Sequence, residues 1–555
     1  MTNRPPLKKA LSIVALVIIG ALGIRGYQKK DDYFEVAKNL EIFTGLYRDI
    51  NLYYVDDTKP GELMKKGIDA MLEALDPYTV YIPESKIEDF RFMTTGSYGG
   101  IGANIIDFDK TIYIADPVEN SPAYKAGLRA GDKLISVNGK PVEGKTIEQI
   151  TEILKGQAKT EVTVTVIPLG TTTSVEKKIT RDVIKVKDVP FYGMLDSETG
   201  YIRLTSFTET ASREVKEAFM DLRDKQGMKK LVFDLRGNGG GLLREAVNIV
   251  NFFVPKGEMI VDTRGKVKEW DQKHFALNQP LDLEIPLVVL IDRGSASASE
   301  IVAGSLQDLD RAVVLGERSY GKGLVQQTRD LFYNSKLKVT VQKYYTPSGR
   351  CIQKLDYSHR DEGGTVTEVP DSLLKKFKTR KGRVVTDGRG IEPDIAIADE
   401  ELGKILRPLY EMGVLFSFAN QYAQQHPTIE PAKTFRISDT EYEAFSTFAL
   451  QKKLDYKTET EQILEALRKS AEREKYFQDA SVEYEKLLSK MSPDAKSDLR
   501  KFKHQIKLAL ENEIVSRYYF DRGRVESTLS VDPYIKKAID SFQPDVYRKV
   551  LAGIK

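Results

Sequence analysis

The chain has 555 residues and carries 84 Lys+Arg against 81 Asp+Glu, a formal net charge of +3. Its length allows roughly three to four globular units, and its charge excludes a bulk basic excess of nucleic-acid size or an acidic solvating tail. One cysteine, Cys351, and four scattered histidines, His274, His359, His426 and His504, exclude an internal disulfide and a zinc-hydrolase ligand set.

Arg4, Lys8 and Lys9 precede an uncharged, mostly apolar run from Ala10 to Ile24, and Arg25, Lys29 and Lys30 follow it. This is the shape of an export signal. The run is short for a bilayer span of about twenty residues, so residues 1–30 read as a cleavable signal or a tight, uncleaved anchor; the anchor is the expectation. The body would then lie outside the cytoplasm, where few thiols are expected.

Residues 31–93 read as helical, with apolar spacing through Val36, Leu40, Phe43 and Leu46 and again through Leu63, Ile68, Met71, Leu72 and Leu75. Residues 94–181 change to short β segments with turn signals and two short helices. From 182 to 400, apolar strands at Leu231–Leu235, Leu287–Ile291 and Ala312–Leu315 alternate with helices, the signal of a largely parallel α/β layer. Residues 401–555 are Lys/Glu-rich and helix-periodic, a helical extension.

In the second region, TTGSYGGIGANI crowds four glycines ahead of the expected strand Ala103–Ile106. Glycines let consecutive amides converge as a nest for a carboxylate. Ser121-Pro122 starts a short helix, Asn138-Gly139 makes a tight turn, and Thr146–Lys155 supplies an amphipathic helix able to wall a groove. The stretch SPAYKAGLRAGDKLISVNGKPV resembles a PDZ domain in circularly permuted form. The resemblance implies that a peptide C-terminus adds beside Ala103–Ile106, with its carboxylate on the amides of Tyr98, Gly99, Gly100, Ile101 and Gly102.

The third region holds the chemistry. A strand ends at Asp292, and a Ser/Ala/Gly turn enters a helix expected at Glu300–Leu309, which places Ser295, Ser297 or Ser299 at a helix N-terminus, where a developing anion is favoured. Alanines between the serines let a carbonyl approach free backbone amides. Further on, Lys322 sits between Gly321 and Gly323. An exposed lysine has a pKa of about 10.4, so a base near pH 7 needs about 4 kcal/mol of desolvation or like-charge penalty, which requires partial burial. Such an amine could take the serine proton and return it to a leaving amine. Gly316–Lys322 also matches the start of a phosphate-binding GxxxxGK loop. Gly323 replaces the magnesium-binding Ser/Thr, however, and the following LVQQTRDLFYNSKLKVTV reads as β structure rather than a helix.

These segments together resemble the C-terminal processing peptidases, or tail-specific proteases, in family order: LDPYTVYI at Leu75, the PDZ module, FDLRGNGGG at Phe233, GSASASE at Gly294, YGKGLVQQ at Tyr320, YYTPSGR at Tyr344 and GRGIEPDI at Gly388. The resemblance implies a multi-domain α/β fold: a ClpP/crotonase-like protease core with an inserted PDZ domain, an N-terminal helical segment and a C-terminal helical extension. It implies Ser297 as nucleophile, Lys322 as general base 25 positions later, and Gln326 as the residue orienting the lysine. It places the oxyanion donors on the amide of Ala298 and a glycine amide of Gly239 or Gly240, with Asp308 as a secondary acidic candidate. Cys351 stands where relatives more usually have serine.

The expected activity is PDZ-regulated serine endopeptidase action on envelope proteins or peptides recognised through their C-termini, with no metal, cofactor or nucleic acid. The expected location is a bacterial periplasm or envelope, anchored at the inner membrane, with an adaptor or a homo-oligomer formed through the terminal helices. Two alternatives stand beside it: a Ser/His/Asp hydrolase using His274 or His359, and a catalytically silent, membrane-tethered PDZ adaptor.

Overall fold

The computed structural model describes residues 33–361, 363–397, 401–452, 454, 456–492 and 494–554. The apolar run at 10–24, the expected anchor and the expected boundary at Glu400 lie outside them. Among the described residues, no helix is long and apolar enough to cross a membrane. The chain divides into two units, Met1–Tyr81 and Ile82–Lys555.

In the first unit, α1 (33–53) and α2 (Pro60–Glu73) follow the apolar spacing. Val36, Leu40, Phe43 and Leu46 on α1 are nevertheless exposed. Between α2 and the unit's end, Asp76 closes a tight turn by accepting the amides of Tyr78 and Thr79, both at 2.8 Å.

In the second unit, α3 (Ile87–Thr95) ends at Gly96, whose φ of 65° is the left-handed C-cap glycine takes without strain. Next comes β1 (Ser97–Gly100), and then an antiparallel sheet of β2 (Ala103–Phe108), β3 (Thr111–Pro117), β4 (Lys133–Val137), β5 (Glu161–Ile167) and β6 (Val175–Thr180), in that order. Helix α4 (Ile147–Leu154), capped reciprocally by Thr146 and Gln149, closes the module's core with Ile150 and Leu154. The chain leaves through β7 (Asp182–Lys185), antiparallel to β1.

The α/β core is a six-stranded sheet in the order β8 (Phe191–Met194), β9 (Thr199–Arg203), β10 (Lys230–Asp234), β13 (Leu287–Ile291), β14 (Val313–Gly316) and β17 (Ile395–Ala396). All its neighbours run parallel except β8 and β9. Side chains alternate faces along each strand. Leu231, Phe233, Val289 and Val314 face a core shared with α5 (Ala211–Gln226), α6 (Leu243–Asn251) and α7 (Ala298–Asp308). Val232, Val288, Leu290 and Leu315 face the other way. A second, antiparallel sheet joins β11 (Met259–Gly265), β12 (Gln272–Phe275), β15 (Leu324–Asp330) and β16 (Lys336–Tyr345).

The helical extension includes α8 (Leu406–Glu411), α9 (Val414–Gln425), α10 (Asp439–Leu450), α11 (Glu459–Arg473), α12 (Phe477–Met491), α13 (Lys503–Leu529), α14 (Pro533–Ser541) and α15 (Pro544–Leu551). It is a structural layer. Ile535, Ala538 and Phe542 of α14 and its end cover the second face of the six-stranded sheet, and α13 reaches the β2–β6 module, where Arg524 meets Asp116 at 2.9 Å. Phe416 packs on Phe108 with ring centroids 5.4 Å apart.

Candidate active site

Three serines compete at the entrance to α7. Ser295 and Ser299 are fully buried, and their hydroxyls donate to the carbonyls of Leu235 and Asn238, each at 2.8 Å. Ser297 alone is partly accessible, and it holds φ 55° and ψ −113°, a conformation that is strained for a residue with a Cβ. Asp292 fixes the turn before it by accepting the amides of Gly237 and Ser295 at 2.8 and 3.0 Å.

The turn after β10 comes up against this serine. A Cβ on Gly240, at φ 99°, would lie 2.8 Å from Ser297 Cβ and 2.9 Å from the Ala298 amide nitrogen, so only glycine fits. Asn238 locks the turn, accepting the Gly240 amide at 2.9 Å and donating to the Leu204 carbonyl at 2.8 Å. Of the two glycines expected to donate to an oxyanion, Gly240 has therefore already committed its amide. Among the described residues, the amides of Gly239 and Ala298 have no protein acceptor.

Lys322 follows Gly321, whose φ is 90° and whose Cβ would lie 2.5 Å from Lys354 Cβ. The lysine is partly buried. Two groups hold its main chain to that of Ser297. The Glu300 carboxylate accepts the amides of Ser297, at 2.8 Å, and of Lys322, at 2.9 Å, through one oxygen. Its other oxygen accepts the Gly321 amide at 2.8 Å and the Ser319 hydroxyl at 2.5 Å. On the carbonyl side, the Tyr344 hydroxyl lies 3.1 Å from Ser297 O and 2.5 Å from Lys322 O. Complete burial pushes the Glu300 carboxyl up to about 7, against the pull of its four donors.

Sequence reasoning passed over both groups. Glu300 was legible as the fourth residue of a Ser-x-x-Glu capping box; Tyr344 opens the YYTPSGR motif, which gave it no role of its own. Arg236 was also missed: it pairs with the buried Asp234 and with Asp532 at the start of α14, each at 2.7 Å.

Gln326 on β15 donates to Thr340 Oγ1 at 3.1 Å, and its Oε1 accepts from no protein group among the described residues. Asp308 ends α7, about 16 Å along the helix from Ser297. There it pairs with the buried Arg350 at 2.9 Å and accepts the Thr346 hydroxyl at 2.5 Å. Within TTGSYGGIGANI, Ser97–Gly100 pairs with β7. The amides of Ile101 and Gly102 remain without a protein acceptor among the described residues, beside the open edge of β2.

Among the described residues, no histidine triad is assembled around the two candidate histidines. His359 is exposed, and its Nδ1 faces both Asp356, at 2.8 Å, and Ser358, at 3.1 Å, whereas a relay needs opposite ring nitrogens. His274 lies on β12 opposite Val261.

The chain matches Peptidase family S41 over residues 198–358, a PDZ domain over 113–168 and the C-terminal helical domain of probable PDZ-proteases over 405–542. It is 37% identical over 342 residues to the carboxy-terminal-processing protease of Bartonella bacilliformis, covering 61% of this chain and 77% of that one. The chain belongs to the carboxy-terminal-processing protease family. A probable CtpA-like serine protease of Staphylococcus aureus is 36% identical over 345 residues, covering 62% of this chain and 67% of the other. Among solved structures, the photosystem II D1 C-terminal processing protease is 28% identical with a TM-score of 0.34, covering 64% of this chain and 92% of that one. As a member of this family the chain is a PDZ-containing, serine-type peptidase, with an S41 core and a C-terminal helical domain.

Proposed function

We propose that this C-terminal processing peptidase works through a Ser297/Lys322 dyad on envelope proteins or peptides captured by their C-termini. The observation that supports this reading is the double bridge between the two main chains, by Glu300 from the amide side and Tyr344 from the carbonyl side. Neutral Lys322 takes the Ser297 hydroxyl proton as Oγ attacks the scissile carbonyl. The amides of Ala298 and Gly239 receive the oxyanion. The lysine ammonium then protonates the leaving amine, and water, deprotonated by Lys322, hydrolyses the acyl ester. Gln326 offers its unused Oε1 to the ammonium.

The substrate's terminal carboxylate sits on the amides of Ile101 and Gly102, and its preceding residues extend along β2 opposite α4. We place residues 1–30 as a signal peptide or envelope anchor, 31–93 as a helical region, 94–181 as the PDZ domain, 182–400 as the core and 401–555 as the extension.

The test is cleavage of casein and of a peptide with a free C-terminus by the full chain, Ser297→Ala and Lys322→Ala. Both variants should keep their circular dichroism and melting behaviour and lose turnover; parental turnover by either overturns the role assigned to that residue. Amidating the peptide's C-terminus should raise KM, and an unchanged KM would remove the carboxylate from PDZ recognition.

A further inference from the structure

The protease sheet has one open edge that lies in a cavity. Among the described residues β8 pairs with β9 alone, so alternate residues of Phe191–Met194 turn their amides and carbonyls away from the sheet. A cavity of about 630 Å³ runs along this edge, between the layer containing α5 and the layer of α13 and α14. That volume is within the range of ligand sites, and proteins ordinarily blunt or cover such an edge. Leu529, Ile535 and Ile539 give one wall an apolar surface.

The charges at this cavity are unbalanced. Asp221 is held by Lys225 at 2.9 Å, and Asp532 is held by Arg236 at 2.7 Å. The lining groups left without an ion-pair partner among the described residues are Lys187, Lys433, Arg522 and Lys536, against Glu526. An open strand edge calls for an extended backbone, and the surplus of cations calls for carboxylates.

We propose that the recessed edge of β8 is a second peptide-binding site, taking an acidic segment supplied in extended form by another protein. Its backbone completes the ladder beyond β8. Side chains of one parity meet the apolar wall, and carboxylates of the other parity reach the cationic rim. The site is separate from the PDZ groove and independent of the catalytic reading, because it needs neither a terminal carboxylate nor turnover.

The experiment measures fluorescence anisotropy of a labelled, C-terminally amidated (Glu-Val)4 peptide on the full chain carrying Ser297→Ala. Saturable binding is expected. N-methylation of one alternate set of peptide amides should abolish it, while methylation of the other set, which faces solvent, should leave it intact. The double variant Lys433→Glu/Lys536→Glu should weaken it by about tenfold or more, and a (Lys-Val)4 peptide should not bind. Absence of binding up to about 1 mM, indifference to both methylation sets, indifference to the charge reversal, or equal binding of the lysine peptide would each overturn the proposal.

Discussion

Glu300 accepts the main-chain amide of Lys322 at 2.9 Å with the same oxygen that accepts the Ser297 amide at 2.8 Å. A single buried carboxylate thus sets the spacing of two turns that are 25 residues apart in the chain. All four of its contacts are donors, which is the arrangement an ionised carboxylate satisfies.

Replacing Glu300 by Gln keeps the volume but turns an NH2 group toward donors. Whichever oxygen is replaced, two donors lose their acceptor, so the variant should be destabilised by about 2–4 kcal/mol in urea unfolding. Its kcat should fall more than KM rises, because the damage lies between the reacting groups rather than in the PDZ groove. An unchanged kcat would remove Glu300 from site positioning.

The same group makes stability depend on pH. Its folded pKa is raised from 4.5 to about 7, so the native state holds a proton that the unfolded state has already released between these values. The contribution is complete below pH 4.5 and is lost as pH rises to about 7, amounting to about 3 kcal/mol. Melting of the parent minus that of Glu300→Gln, followed across this window, should show that decline; a difference that grows with pH contradicts it.

Lys322→Arg preserves the positive charge but supplies a guanidinium that does not deprotonate at working pH. Turnover should fall by about 10²- to 10⁴-fold with little change in melting temperature. Changing all four histidines to Gln should leave turnover close to parental. Loss of turnover in that folded variant would instead point to histidine chemistry.

Gly240→Ala tests the approach of the Asn238–Gly241 turn to the serine. Its methyl would meet Ala296 O and Ser297 Cβ, both at 2.8 Å, at a φ of 99°. We expect loss of cleavage per folded molecule, read as active-site titration with a fluorophosphonate, whereas Gly237→Ala, where a Cβ meets nothing within 4 Å, should cost only the strain of its φ of 70°.

Asp308→Ala leaves Arg350 buried without its carboxylate, which should destabilise the fold by about 3–5 kcal/mol. Cleavage per folded molecule at low temperature should be retained. A selective loss of kcat at full stability would return Asp308 to the chemistry.

Local pattern carried much of this structure. Five successive apolar residues at Leu287–Ile291 announced a strand, and LVQQTRDLFYNSKLKVTV announced β structure where a phosphate-binding helix would stand; it forms the antiparallel pair β15 and β16. Ser295, Ser297 and Ser299 were visible as candidates because a strand, a small-residue turn and a helix follow one another in the chain. Their ranking by accessibility was not visible, since it depends on the Leu235 and Asn238 carbonyls arriving from another strand's end.

The sequence by itself therefore determined the order of elements, the glycines at tight turns and the residue types able to do acyl-transfer chemistry, all of which follow from short-range periodicity and backbone freedom. Only the tertiary structure decided that Glu300 and Tyr344 join the serine and lysine turns, that Asp308 serves Arg350, and that Ile535, Ala538 and Phe542 cover the sheet's second face. The physical reason is that burial and hydrogen-bond partnership are properties of groups brought together from distant parts of the chain, so their energies are fixed by packing rather than by any local run of residues.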